Sequence, residues 1–258
     1  MGGREIVLET GVAGDVWVTI NRPQKHNALT RTTLDELADA MRQAGGDRST
    51  RCVVLRGAGE KYFAAGGDLV DLAMVRTEEA TCTMADRATA ALDAVRNCPV
   101  PVIAYVNGDA LGGGAELAVA CDMRMLEAHA RIGFVQGRVG ITSAWGGGPD
   151  LYRLVGPGRA MRMMSRCEMI DAETALNWGL VDVVVTGGAK GADVQSFLKP
   201  CFERSPLLLR GIKEQALAWR QGLSYEAHRE IERKNLLATW LSDEHWVAVA
   251  RFLARGKP

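Results

Sequence analysis

Residues 107–117 read NGDALGGGAEL: three consecutive glycines, an alanine and a glutamate, set just after the buried-strand pattern PVPVIAYVNG at 99–108. Ala115–Ala120 have helical character, so the glycines fall where a strand hands over to a helix. Glycine inside a helix costs about 1 kcal/mol relative to alanine. Three together imply that something comes very close to the backbone. The first turn of a helix carries N–H groups without intrahelical partners, and the helix dipole adds partial positive charge there. An oxyanion is the natural guest of such a place. A second strand end, FAAGGDL at 63–69, offers more small residues ahead of another predicted helix. If Gly67 and Gly113 come together, their two N–H groups can grip one carbonyl oxygen. Taken singly, each loop is adequately explained as a tight strand-to-helix turn. Neither has the GK[ST] ending of a phosphate loop or the GxGxxG of a dinucleotide fold.

The rest of the chain gives these loops an α/β setting. DVWVTIN at 15–21 alternates as a strand, and RCVVLRG at 51–57 is a short buried one. Thr30 caps a helix with Leu34, Leu37, Ala38 and Met41 at helical spacing. Residues 86–97 predict a second helix, with Ala88, Ala91, Leu92 and Val95 on one side. CDMRML reads as a strand after the glycine helix. Asp171 caps a helix ending at Gly179, and LVDVVV at 180–185 is a further strand. Strand and helix in recurring order predict an α/β fold. From Ser205–Pro206, a cap followed by proline at the first helical position, the pattern turns wholly helical. Two or three leucine- and tryptophan-rich helices carry Leu217, Trp219, Leu236, Leu237, Trp240, Trp246 and Phe252. That much apolar surface predicts docking on the core or on another subunit. The expected division is a core at 1–195 and a helical oligomerisation segment at 196–258.

Bulk composition narrows the partners. The 258 residues carry 31 Lys+Arg against 31 Asp+Glu, and this zero net charge disfavours a nucleic-acid binder. Hydrophobic residues at 47% are ordinary for a globular protein. Cys52, Cys82, Cys98, Cys121, Cys167 and Cys201 show no metal-like spacing, and several sit in apolar runs. They are expected to be reduced residues of a cytoplasmic protein. MGGREIVLET has no signal-type apolar stretch, and no run of 18 apolar residues predicts a membrane span.

At this point the chain resembles the crotonase, or enoyl-CoA hydratase/isomerase, superfamily over nearly its whole length. NRPQKHNAL (21–29) is similar to its N-terminal motif, and FAAGGDL and NGDALGGGAEL to its two oxyanion loops. RVGITSAWGG (138–147) and ETALNWGLVDVVV (173–185) follow in the expected order. The resemblance implies a spiral of ββα repeats, then helices that assemble a homotrimer or a dimer of trimers. It implies an acyl-CoA thioester whose enolate is held by the Gly67 and Gly113 amides. Ala65 would contact the nucleotide end of CoA, and Lys25 and Ala28 belong to the first CoA-binding segment. Lys25 is equally readable as an ordinary exposed lysine. CoA is part of the substrate, and no metal or redox cofactor is implied.

Glu116 lies three residues past Gly113, near one helical turn, and can project into the same pocket. It is a general acid/base candidate, or else a structural carboxylate capping a neighbouring amide. Family hydratases pair that position with a second glutamate, and here Gln136 stands in its place. Glutamine can hold water but cannot take its proton. The aspartate of the dehalogenase and dienoyl-isomerase branches falls near Ala144. ALGGGAEL followed by ACDMR, and the later SAWGG, are similar to the ethylmalonyl-CoA decarboxylase branch. That chemistry needs an oxyanion hole and no initiating base. Trp145 stands near the pocket mouth or is a packed core residue. Arg138 and Tyr152 meet a carboxylate or lie outside. His26, His129, His228 and His245 match no catalytic motif. The leading expectation is a hydratase-like lyase; the alternatives are a malonyl-type decarboxylase and a non-catalytic acyl-CoA binder.

Overall fold

The structure is a computed structural model and describes residues 3–255. In chain order it runs β1 (Ile6–Thr10), β2 (Asp15–Ile20), α1 (Arg31–Gly46), β3 (Cys52–Gly57), β4 (Tyr62–Ala64), α2 (Glu78–Arg96), β5 (Val102–Val106), β6 (Asp109–Leu111) and α3 (Gly113–Ala120). It continues through β7 (Met123–Glu127), β8 (Ile132–Gly133), α4 (Gly147–Ser165), α5 (Ala172–Asn177), β9 (Val183–Val185), α6 (Ala192–Phe202), α7 (Pro206–Arg220), α8 (Tyr225–Trp240) and α9 (Asp243–Arg255). The larger sheet has the order β1-β2-β3-β5-β7-β9; β1 is antiparallel to β2 and every later pairing is parallel. A second sheet, β4-β6-β8, is parallel throughout. The first unit, β1-β2-α1, gives both strands to the large sheet, and the three that follow, β3-β4-α2, β5-β6-α3 and β7-β8-α4, each give one strand to the large sheet, the next to the small sheet, and then a helix.

At the corners between sheets the backbone loses its ladder partners, and buried amides there must be satisfied otherwise. Two asparagines do this. Asn107 accepts from the Gly57 amide (2.9 Å) and donates to the carbonyls of Gly57 (2.9 Å) and Gly59 (2.6 Å). Asn27, fully buried, donates to the carbonyls of Ala58 (3.0 Å) and Tyr62 (2.7 Å). An amide side chain suits both places because it carries donor and acceptor together.

Helix α1 begins as its sequence predicts. Thr30 accepts from the Thr33 amide at 3.0 Å, and the Thr33 hydroxyl accepts from the Thr30 amide at 3.1 Å. This reciprocal pair satisfies two free N–H groups. Helix α2 starts at Glu78 rather than 86, because only its second half turns apolar residues inward. The stretch after FAAGGDL is not helical. Asp68 accepts from the amides of Val70 (3.0 Å) and Asp71 (3.3 Å), which makes residues 69–74 a run of turns. The expected division at residue 195 falls inside α6. Val194 and Leu198 of that helix pack with Cys52, Val54, Ile103 and Met125 on one face of the large sheet, so α6 belongs to the core. The other face packs against α1, α2 and α3. No described helix is long and apolar enough to cross a membrane.

Candidate active site

The small sheet brings the sequence-distant motifs together. Its three strands are parallel, so their carboxyl ends lie at one edge. β4 leads into Ala65–Gly67, β6 into Gly112–Gly113, and β8 toward Gln136. Crevices beyond the carboxyl ends of parallel strands are where α/β sheets bind ligands.

The two glycine loops touch there. A side-chain carbon on Gly66, whose φ is +93°, would stand 3.3 Å from the Gly113 nitrogen and 3.0 Å from the Leu111 carbonyl oxygen. Leu29 pairs across this edge, its amide donating to the Gly66 carbonyl (2.8 Å) and its carbonyl accepting from the Asp68 amide (2.9 Å). Parallel pairing of this kind turns the intervening Gly67 N–H away from Leu29. The Gly113 amide opens α3 and has no intrahelical acceptor. Among the described residues, no acceptor is paired with either amide.

Each glycine in the run has its own reason. Gly112 has φ +53°, in the left-handed region that favours glycine. A methyl on Gly114 would overlap the Ala64 carbonyl oxygen. A methyl on Gly113 would overlap the indole of Trp145, and one on Gly67 would stand 3.4 Å from Cη2 and Cζ2 of the same ring. Trp145 is buried, and its ring bridges both glycines. It is a packed residue, and it is packed at the oxyanion edge.

Glu116 is the one ionisable residue of α3, a helix whose eight residues are all buried. Its side chain is held on both oxygens. Oε2 accepts from the amides of Trp145 and Gly147, each at 3.0 Å, and Oε1 accepts from Gln136 Nε2 at 2.8 Å. Gln136 therefore faces Glu116. Burial lifts the Glu116 carboxyl above its ordinary value, against the pull of the amides of Gly147 and Trp145 and the Gln136 side chain, which favour the anion. Such a carboxyl holds its proton more readily than a surface glutamate, as an acid/base group near neutrality must.

Lys25 and Ala28 lie on the turn before α1, and Ala65 joins them through its amide, which donates to the His26 carbonyl at 3.1 Å. Lys25 is exposed, and Ala28 and Ala65 are half-buried. Arg138 is exposed and donates to the Cys167 carbonyl at 2.9 Å, and Tyr152 is also exposed, so neither side chain is enclosed with Glu116. His26 stacks on Tyr62, His129 meets the Glu60 carbonyl, and His245 packs against Trp240 and Trp246.

No local sequence signal points to the clamp behind this site. Buried Arg96, the last residue of α2, pairs with Asp150 (2.8 Å) and Asp93 (2.9 Å) and donates to the Trp145 carbonyl at 3.4 Å. The loop carrying Trp145 is thus fixed by Glu116 through one backbone group and by Arg96 through the other. Arg96 sits in a helical pattern that gives no sign of a partner 54 residues away.

Comparison with known proteins agrees with this geometry. A family model described as enoyl-CoA hydratase/isomerase matches residues 10–258. The chain is 30% identical over 242 residues, 93% of each chain, to a Bacillus subtilis protein named "Probable enoyl-CoA hydratase". It is 28% identical over 252 residues to the ethylmalonyl-CoA decarboxylase of Bos taurus, covering 96% of this chain and 82% of that one. Among solved structures, an enoyl-CoA hydratase from Bacillus anthracis superposes with a TM-score of 0.90 at 29% identity, covering 98% of both chains.

Proposed function

Since the chain belongs to the enoyl-CoA hydratase/isomerase family, we propose that it is a hydratase-like lyase adding water to 2-enoyl-CoA thioesters. The observation that carries this reading is the buried Glu116 carboxylate, oriented by three N–H donors beside two unpaired glycine amides. The thioester oxygen lies between the Gly67 and Gly113 amides. As water adds at the β-carbon, negative charge collects on that oxygen, and each such donor contributes about 3 kcal/mol to transition-state stabilisation. Glu116, steadied by Gln136, takes the proton from the water as its oxygen bonds to carbon. The carboxylic acid so formed returns a proton to the α-carbon, and the sum is addition of H and OH. CoA is part of the substrate: Ala65 and Ala28 meet its nucleotide end through the backbone, and Lys25 meets a phosphate. The reading includes a cytoplasmic protein without a resident cofactor. It also includes a homotrimer or dimer of trimers built through the exposed apolar faces of α8 and α9.

One observation favours a second reading. Gln136 occupies the place of a second acid and cannot carry a proton. Decarboxylation of a malonyl-type thioester needs no base to begin: loss of CO2 leaves an enolate on the two amides, and Glu116, with its raised pKa, supplies the proton that quenches it.

Mass spectrometry of purified protein with 2-enoyl-CoAs and with methyl- and ethylmalonyl-CoA separates the two. Hydration is expected, lost by a factor of about 10²–10⁴ in Glu116→Gln. The glutamine can keep the hydrogen bonds if Gln136 turns its amide, so the fold is retained. The base form of Glu116 is the active one, so kcat/KM rises with pH through a limb above the ordinary glutamate value. Loss of CO2 without hydration would move the protein to the second reading.

A further inference from the structure

We propose that Trp145 is the end wall of the acyl pocket and confines the enzyme to short acyl groups. The proposal rests on the thioester reading above and names its substrate class.

Two ring contacts and one backbone bond set Trp145 beside the glycine amides and the acid. The Cη2 and Cζ2 edge of the ring lies against Gly67, and the Cζ3, Cε3 and Cη2 atoms lie against Gly113. The backbone amide of the same residue donates to Glu116 Oε2 at 3.0 Å. A thioester with its oxygen on the two glycine amides therefore has the indole beside both donors, and the backbone of the same residue is bonded to the acid that faces its reacting carbons. The chain beyond the reacting carbons meets a rigid plate of aromatic carbon.

The plate is not free to leave by a backbone shift. Its amide is tied to the acid, its carbonyl accepts from Arg96 at 3.4 Å, and Arg96 is itself anchored on Asp150 and Asp93. Gly146 follows at φ +86°, and a side-chain carbon there would stand 3.0 Å from the Arg96 guanidinium, so the loop has no space on that side either. The glycine at 113 is a condition of this arrangement as much as of ligand approach, because any larger residue would overlap the ring.

The test uses binding, so that it does not depend on which reaction the enzyme performs. Titration calorimetry with butyryl-CoA and decanoyl-CoA, neither of which can be hydrated, measures chain-length preference directly. Wild-type protein is expected to bind the four-carbon ester at least about tenfold more tightly than the ten-carbon ester. Trp145→Ala should reduce or reverse that ratio, chiefly by gaining affinity for decanoyl-CoA, and Trp145→Phe should keep most of it. Trp145→Leu, which keeps apolar packing but removes the ring, should lower the ratio as well, so an unchanged ratio in that variant overturns the wall even if the alanine variant fails to fold. Equal binding of both esters by the wild type, or an unchanged ratio in a folded Trp145→Ala, would overturn the wall. Failure of the wild type to bind either ester would instead overturn the thioester reading, and the wall with it.

Discussion

Helix α3 buries all eight of its residues, whereas α8, sixteen residues long, buries none. Both carry apolar side chains, and the difference lies in what surrounds them. α3 starts between two strand ends and packs against α2, α4 and β6, so its geometry is set entirely by its own chain. α8 rests on α7 through Lys234–Glu214 (2.7 Å) and Asn235 to the Gly211 carbonyl (3.1 Å). Leu236, Leu237 and Trp240 remain at least half exposed. A helix closed in on all sides can hold a carboxylate to within a fraction of an ångström. A helix with an open apolar face calls for a second surface to cover it.

Helix α7 joins the two regimes, and its anchor gives the sharpest way to break the comparison. Lys213 is buried, and its Nζ donates to both oxygens of Asp122, at 2.7 and 2.6 Å, at the start of β7. Asp122 also accepts from the Val102 amide at 2.8 Å. Lys213→Ala leaves the partly exposed Asp122 carboxylate with Arg220, at 3.8 Å, as its remaining cation, so the loss is expected at the low end for a buried pair, about 3 kcal/mol. Urea denaturation should show that loss. A change within about 0.5 kcal/mol, typical of surface sites, would mean that the C-terminal helices are not held to the core through this pair.

A smaller effect tests the seat of α3. In Gly114→Ala the added methyl overlaps the Ala64 carbonyl oxygen, a backbone atom at the end of β4. No rotamer can relieve that overlap, so either α3 or the small sheet must shift. Overpacking of this kind costs about 1–3 kcal/mol. Because the displaced elements carry Gly113 and Ala65, activity should fall more steeply than stability. Comparing kcat/KM with the thermal midpoint of the variant checks this; a drop in stability with unchanged kcat/KM would mean that the site tolerates movement at its edge.

Much of the closed region is legible from local rules. The α/β alternation, the Thr30 and Asp171 caps and the buried run 115–120 each follow from a few adjacent residues. The pair Glu116 and Gly113 is local as well, separated by one helical turn. What is not legible is anything that depends on which strand ends become neighbours. FAAGGDL and NGDALGGGAEL do not reveal that Trp145 spans them, since that contact is made by a ring 78 residues after Gly67 and 32 after Gly113. Arg96 and Asp150 look like ordinary helix charges until α2 and α4 are packed. Turns at 69–74 stand where a helix is expected after FAAGGDL, because the Asp68 side chain closes on the amides of Val70 and Asp71. The boundary expected at 195 falls inside α6 because the packing of Val194 and Leu198 on the large sheet is a long-range contact that the local pattern does not show.

The smallest expected change in the chain's own stability comes from the open region, and it makes the comparison quantitative. Leu241, after α8, and Phe252, on α9, are 75% and 78% exposed. Replacing both with serine removes little buried area within the chain, so the stability of the isolated chain should move by no more than about 0.5 kcal/mol. Their effect on assembly should be far larger if a second copy covers that face, because each apolar side chain then loses its burial in the complex, about 1.5–3 kcal/mol for a side chain of this size. Light scattering across a dilution series would register this as a shift from oligomer to monomer at concentrations where the parent chain stays assembled. Unchanged mass together with unchanged stability would mean that this part of the helical face stays open in solution, and assembly, if it occurs, would have to use another surface such as Trp219 and Leu223 near the end of α7.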